Sequence, residues 1–169
     1  IPQYREVIKL NPNDPVAHAI LACALAEQVK MEPALLEYKE AIRLNPRDTE
    51  IRFALGGVYE NRGRNDLAMK EYREVLQVDP GFAPAHTAIG WLLFNRDRIH
   101  EAYESFNRAL KANPEDASAY LGVARVYSRR GKQQTAMENY AQALKLEKDP
   151  EKKNQIMNDL FKEGNTWDV

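Results

Sequence analysis

The chain has a single cysteine, Cys23, so no internal disulfide framework can hold it together. No apolar stretch approaches the roughly 18 residues of a membrane-spanning helix, which excludes helical membrane insertion. Neither sign of charge dominates. There are 24 lysines and arginines against 25 acidic residues, for a formal net charge of -1. That balance removes the global basic field that recruits nucleic acid. The sequence also lacks a glycine-rich phosphate loop, a C-x-x-C pair and an H-E-x-x-H helix, so no cofactor or metal motif stands out. No signal peptide is visible, although the chain opens at Ile1 rather than methionine. These absences favour a soluble, cytoplasmic protein that is not an enzyme.

What is present is a period. Pro12, Pro46, Pro80 and Pro114 lie 34 residues apart without slippage. Ala34, Ala68, Ala102 and Ala136 keep the same step, each followed four residues later by an aromatic: Tyr38, Tyr72, Phe106 and Tyr140. Three residues further on stand Ala41, Val75, Ala109 and Ala143. A constant period means one structural unit copied along the chain. With 44% hydrophobic residues over 169 positions, four complete copies can bury a continuous core.

Within each copy the spacing is helical. Leu21 and Leu25, or Leu55 and Tyr59, share one helical face. Asp14, Asp48 and Asp116 stand where an N-cap is wanted, with Pro15 in the favoured first position. Gly63 and Gly131 fall where a residue of positive φ ends the first helix of a pair. Asn-Pro and Asp-Pro pairs end the second. Ala22, Gly56, Gly90 and Ala124 are small where a neighbouring backbone is expected to come close.

The copies resemble the tetratricopeptide repeat, W-x2-L-G-x2-Y, then A-x3-F, then P. The second copy reads Arg52, Leu55, Gly56, Tyr59, Ala68, Tyr72, Pro80, and the third His86, Ile89, Gly90, Leu93, Ala102, Phe106, Pro114. The first and fourth match as well, with Pro150 arriving two residues late, and the tryptophan is absent throughout. The resemblance implies an all-α, right-handed superhelical solenoid of antiparallel helix pairs. It divides the chain into a second helix of a truncated repeat at 1–12, then repeats at 15–48, 49–82, 83–116 and 117–149. A terminal or capping helix follows at 150–164, with a flexible tail at 165–169. Tyr4, Val7 and Ile8 are expected to form an apolar face whose partner helix is missing, so both ends look cut or processed.

Candidates for chemistry are few. His100 and Glu104 are four apart but fall short of a ligand set. His18 and His86 occupy equivalent positions roughly 20 Å apart, too far to share a metal, and read as packing residues. Cys23 has no activating neighbour in sequence and reads as a small buried or groove-lining hydrophobe. The basic run Arg125, Arg129, Arg130 and Lys132 is confined to one repeat, which suits a solvated face or a contact to a partner carboxylate.

The resemblance further implies that first helices line a concave groove that binds a peptide or helix of a protein partner. Carried over by position, its walls are Glu27, Glu50, Phe53, Glu60, Asn61, Thr87, Trp91, Phe94, Asn95, Leu121, Arg125 and Arg129. Phe53, Trp91 and Phe94 make an aromatic centre; the glutamates make one end acidic and the arginines the other basic. The family's lysine and asparagine carboxylate clamp is not expected, because Cys23 and Gly57 stand at its positions. The expected function is a non-catalytic interaction scaffold. The alternatives are a substrate-recruiting region of a longer, enzymatic polypeptide, and self-assembly through open end repeats.

Overall fold

The computed structural model describes residues 2–164, and all of its regular elements are α-helices. The expected tail at 165–169 lies outside the described residues. The helices fall into two compact units, one of residues 1–80 and one of residues 81–169. The first unit holds α1 (Pro2–Leu10), α2 (Pro15–Glu27), α3 (Met31–Leu44), α4 (Thr49–Asn61) and α5 (Asn65–Val78). The second holds α6 (Ala83–Phe94), α7 (Ile99–Ala112), α8 (Ala117–Arg129), α9 (Gln133–Leu146) and α10 (Pro150–Gly164).

Local chemistry sets the helix ends. The Asp14 carboxylate accepts from the Val16 amide at 2.9 Å, Asp48 from Ile51 at 3.1 Å and Asp116 from Ala119 at 3.0 Å. Each satisfies a donor that the first turn leaves orphaned. The turns inside the pairs share one bond, from the Lys30, Arg64, Arg98 and Lys132 amides to the carbonyls of Leu25, Tyr59, Leu93 and Tyr127, at 2.9 to 3.0 Å. That closure needs a left-handed residue just before the donor. Gly63 and Gly131 supply it at φ +68° and +67°. In the other two turns Val29 and Asp97 adopt φ 60° and 59°. For a β-branched valine this conformation is a genuine outlier.

Second helices carry the aromatic wedges of the core. Tyr38, Tyr72, Phe106 and Tyr140 are all buried, as are Ala34, Ala68, Ala102 and Ala136 beside them. Two of the small residues, Gly56 and Gly90, face rings rather than backbone. A Cβ added at Gly90 of α6 or at Gly122 of α8 would run into the Phe106 ring of α7. Phe106 is thus clasped from both sides, which removes it from water completely. Burying such a side chain contributes roughly 1.5–3 kcal/mol.

α1 departs from expectation. Tyr4 and Ile8 are not left open; they pack against the cluster of Leu21, Leu25 and Ala34. α1 is amphipathic and behaves as a second helix seated on α2, and among the described residues its exposed large apolar side chains are Val7 and Leu10.

The signature position without tryptophan has its own solution. His18 is buried, its Nδ1 2.6 Å from Glu37 Oε2 and its Nε2 3.1 Å from the Pro12 carbonyl. One repeat later Arg52 donates to Glu71 at 2.9 Å. Burial opposes a charge on His18. The bonds to Glu37 and Pro12 and the nearby Glu37 and Glu40 carboxylates outweigh it, so its pKa is raised above the ordinary histidine value.

Candidate functional site: a column on the first helices of the second unit

Trp91, Arg125 and Asp159 are separated by one repeat step each and stand at the same turn of α6, α8 and α10. They form a ladder. The Arg125 guanidinium lies 5.2 Å from the Trp91 ring centroid. Its Nε donates to Asp159 Oδ2 at 3.1 Å, and Nη2 reaches the same oxygen. Trp91 is fixed in turn: its indole N–H donates to Ser118 Oγ at 2.9 Å, and its ring meets Phe106 edge-on at 5.1 Å. Cation and aromatic face attract through the ring quadrupole, by about 0.5–2 kcal/mol.

A second pair stands beside the first. The Arg129 guanidinium is 5.4 Å from the Phe94 ring centroid, and its Nη1 donates to Asp97 Oδ1 at 2.9 Å. Phe94 in turn meets Trp91 edge-on at 6.0 Å. Between these groups opens a cavity of about 230 Å³, lined by Phe94, Arg125, Ser128, Arg129, Tyr140, Asp159 and Lys162. A smaller one of about 170 Å³, bordered by Ser118, Leu121 and Ile156, also has Arg125 in its lining. The site therefore offers aromatic surface and three cations beside two carboxylates, Asp159 and Asp97.

The other expected groove residues have varied settings. Asn95 is the exposed C-cap of α6, and Leu121 is half-buried against the cluster around Tyr140. Thr87 differs from a groove wall: it is buried, and its hydroxyl donates to Asp116 Oδ2 at 2.6 Å, tying α6 to the start of α8. In the first unit, Glu27, Glu50 and Asn61 are exposed on α2 and α4. Phe53 is half-buried, 5.2 Å from the Tyr72 ring. Glu60 accepts from the Tyr72 hydroxyl at 2.7 Å; burial and this carboxylate push the phenol far above its usual pKa. Cys23 is exposed, 3.0 Å from the Tyr38 hydroxyl.

The basic run divides between two environments. Arg125 and Arg129 join the aromatic ladder, whereas Arg130 lies 4.9 Å from the ring of Tyr103, whose hydroxyl is 3.0 Å from that of Tyr127. His100 and Glu104 sit 3.5 Å apart on the exposed face of α7. Among the described residues no group of three or more potential metal ligands comes together, and no helix is long and apolar enough to cross a membrane.

Asp159, Asp97, Ser118 and Lys162 were not expected at this site. One signal was available: a residue 34 positions from Arg125 falls on the adjacent first helix at the same turn.

Comparison with known proteins is consistent with this architecture. Curated protein sequences give no match. Among solved structures, PilF of Pseudomonas aeruginosa aligns with TM-score 0.81 at 19% identity, over 96% of this chain and 76% of its own. MamA from residue 41 to its end, from Desulfovibrio magneticus RS-1, aligns with TM-score 0.72 at 20% identity, over 85% of this chain and 81% of its own. A chain of the APC/C hetero-tetramer Cut9–Hcn1 gives TM-score 0.87 at 14% identity, over 98% of this chain but 32% of its own. These likenesses are of fold. A tetratricopeptide-repeat model matches residues 32–82 and 87–152, more than half of the chain, which is therefore a member of the tetratricopeptide-repeat family.

Proposed function

We propose that the protein is a non-catalytic scaffold that holds a peptide or helical segment of a protein partner on the exposed face of its first helices. The fold is one used generally for protein–protein interaction. The observation that carries the reading is the half-exposed cluster of Trp91 and Phe94 under Arg125 and Arg129, beside an open cavity. Aromatic and arginine anchors of this kind commonly supply most of the binding energy at an interface. In the first unit Phe53, with Glu27, Glu50, Glu60 and Asn61, offers a second, acidic patch on the same class of helix.

The test is affinity capture from native lysate with the wild-type chain, Trp91→Ala, Arg129→Ala and a control, Lys111→Ala, on the exposed face of α7. Trp91→Ala is expected to weaken capture by about 2 kcal/mol or more, and Lys111→Ala to leave it intact. Capture that survives Trp91→Ala and is lost with Lys111→Ala places the working surface on the second helices instead. A separate reading, self-association, is favoured by Val7 and Leu10, which are 43% and 88% exposed on α1. It predicts a mass that rises with concentration and is lowered by Leu10→Glu.

A further inference from the structure

α10 is held more weakly than the helix before it. Among its described side chains only Ile156 is fully buried, while Phe161 is 67% exposed; α9 buries Ala136, Tyr140 and Ala143. The cavities of about 230 and 170 Å³ share Arg125 in their linings, and each is bordered by α10 residues. Both cavities open to solvent, so the α10 side chains that border them are reached by water.

α10 nevertheless shows what the seat accepts. Ile156, Asp159 and Leu160 lie on one helical face. Ile156 and Leu160 enter the cluster around Tyr140, and Asp159 meets Arg125. One residue fits badly: Lys162 lines the same cavity as Arg125 and Arg129, so a third cation joins two that already hold Asp159 and Asp97. An acidic residue at that step would reverse the mismatch.

We propose that the seat formed by Phe94, Arg125, Arg129 and Tyr140 is a docking site for an amphipathic helix of a partner, and that α10 is its resident occupant. The partner helix carries the pattern apolar–x–x–acidic–apolar–x–acidic, matching Ile156, Asp159 and Leu160 and replacing Lys162. Binding requires α10 to leave, so its strength is reduced by the fraction of chains in which the seat is open. The proposal rests on the groove reading above and names the partner's chemistry.

The probes are two fluorescein-labelled peptides, residues 150–164 as they stand and the same peptide with Lys162→Glu, titrated against the full chain. The Lys162→Glu peptide is expected to bind about tenfold tighter than the unaltered one. Asp159→Lys in the chain, which repels Arg125 and frees the seat, is expected to tighten both by a similar factor. Arg129→Ala narrows the difference between the peptides. Hydrogen exchange gives a measurement that needs no variant: in the wild-type chain α10 amides exchange well before those of α9, and faster still with peptide present. Exchange of α10 only at the rate of α9, or an Asp159→Lys chain that is folded and binds neither peptide, overturns the proposal. Peptide failure with capture still dependent on Trp91 leaves the groove reading standing. Peptide binding with capture indifferent to Trp91 removes the groove reading instead.

Discussion

Positions 23, 57, 91 and 125 occupy the same turn of successive first helices, yet the two units fill them oppositely. The first unit has small Cys23 and Gly57, and the second has Trp91 and Arg125. The wedges on the second helices account for the first three positions, whereas Arg125 stands beside the hydroxyl-bearing Tyr140 and is held instead by Asp159 and the Trp91 ring. Tyr38 and Tyr72 carry hydroxyls that reach Cys23 and Glu60, and a Cβ at Gly57 would already meet the Tyr72 hydroxyl at 3.9 Å. Phe106 has no hydroxyl, and Trp91 lies against it. The repeat fixes where a side chain stands; the partner across the pair decides how large it can be.

The largest expected effect comes from breaking that match in the second unit. Phe106→Tyr adds an oxygen at the ring atom that already presses on Gly122. It is expected to destabilise by about 1–3 kcal/mol through overpacking, and Gly122→Ala by a similar amount. Urea denaturation measures both, and unchanged midpoints would show that the clasp around Phe106 is loose.

The reciprocal change in the first unit is Tyr72→Phe. It leaves the half-buried Glu60 carboxylate without its phenol donor and is expected to cost about 1.5 kcal/mol. The added Gly57→Trp should then be tolerated better than Gly57→Trp alone, and a double-mutant cycle reads that coupling directly. Additive effects would separate the two positions.

A smaller effect, of opposite sign, concerns the turns. Val29→Gly removes a β-branched residue from the left-handed region and is expected to stabilise by about 1 kcal/mol. Thermal melting of the variant against wild type checks it; a loss of stability would mean the Val29 side chain contributes contacts that outweigh the strain.

The smallest effect is one of pH. His18 has a raised folded-state pKa because Glu37 and the Pro12 carbonyl hold its charged form. The stability it contributes is full below the unfolded value of about 6.5 and is lost as pH rises through the raised folded value. The stability difference between wild type and His18→Gln should therefore be largest near pH 6 and shrink toward pH 8.

Much of the fold was legible because punctuation and period agree. The Asp14, Asp48 and Asp116 caps and the positive φ of Gly63 and Gly131 follow from residues with strong local preferences. Val29 was not legible as the same turn, because valine disfavours that conformation and only the neighbouring copies betray it. Tyr4 and Ile8 were read as lacking a partner when α2 itself provides one. Around the site, Trp91 and Arg125 stood out by residue type, but Asp159 did not: an acidic residue on a terminal helix looks like solvated surface until the 34-residue step is applied to it.

The same step has a consequence for synthesis. Arg125 and Asp159 are one full repeat apart, so the ladder cannot close until the chain has been extended through α10. The helix pairs of α6 to α9 are complete before that point, and because each repeat contacts only its neighbours these pairs can form without α10. During that interval on the ribosome, Trp91 and Arg125 are in place and uncovered by α10. The first opportunity for a partner, or a chaperone, to reach this surface comes before the protein is finished.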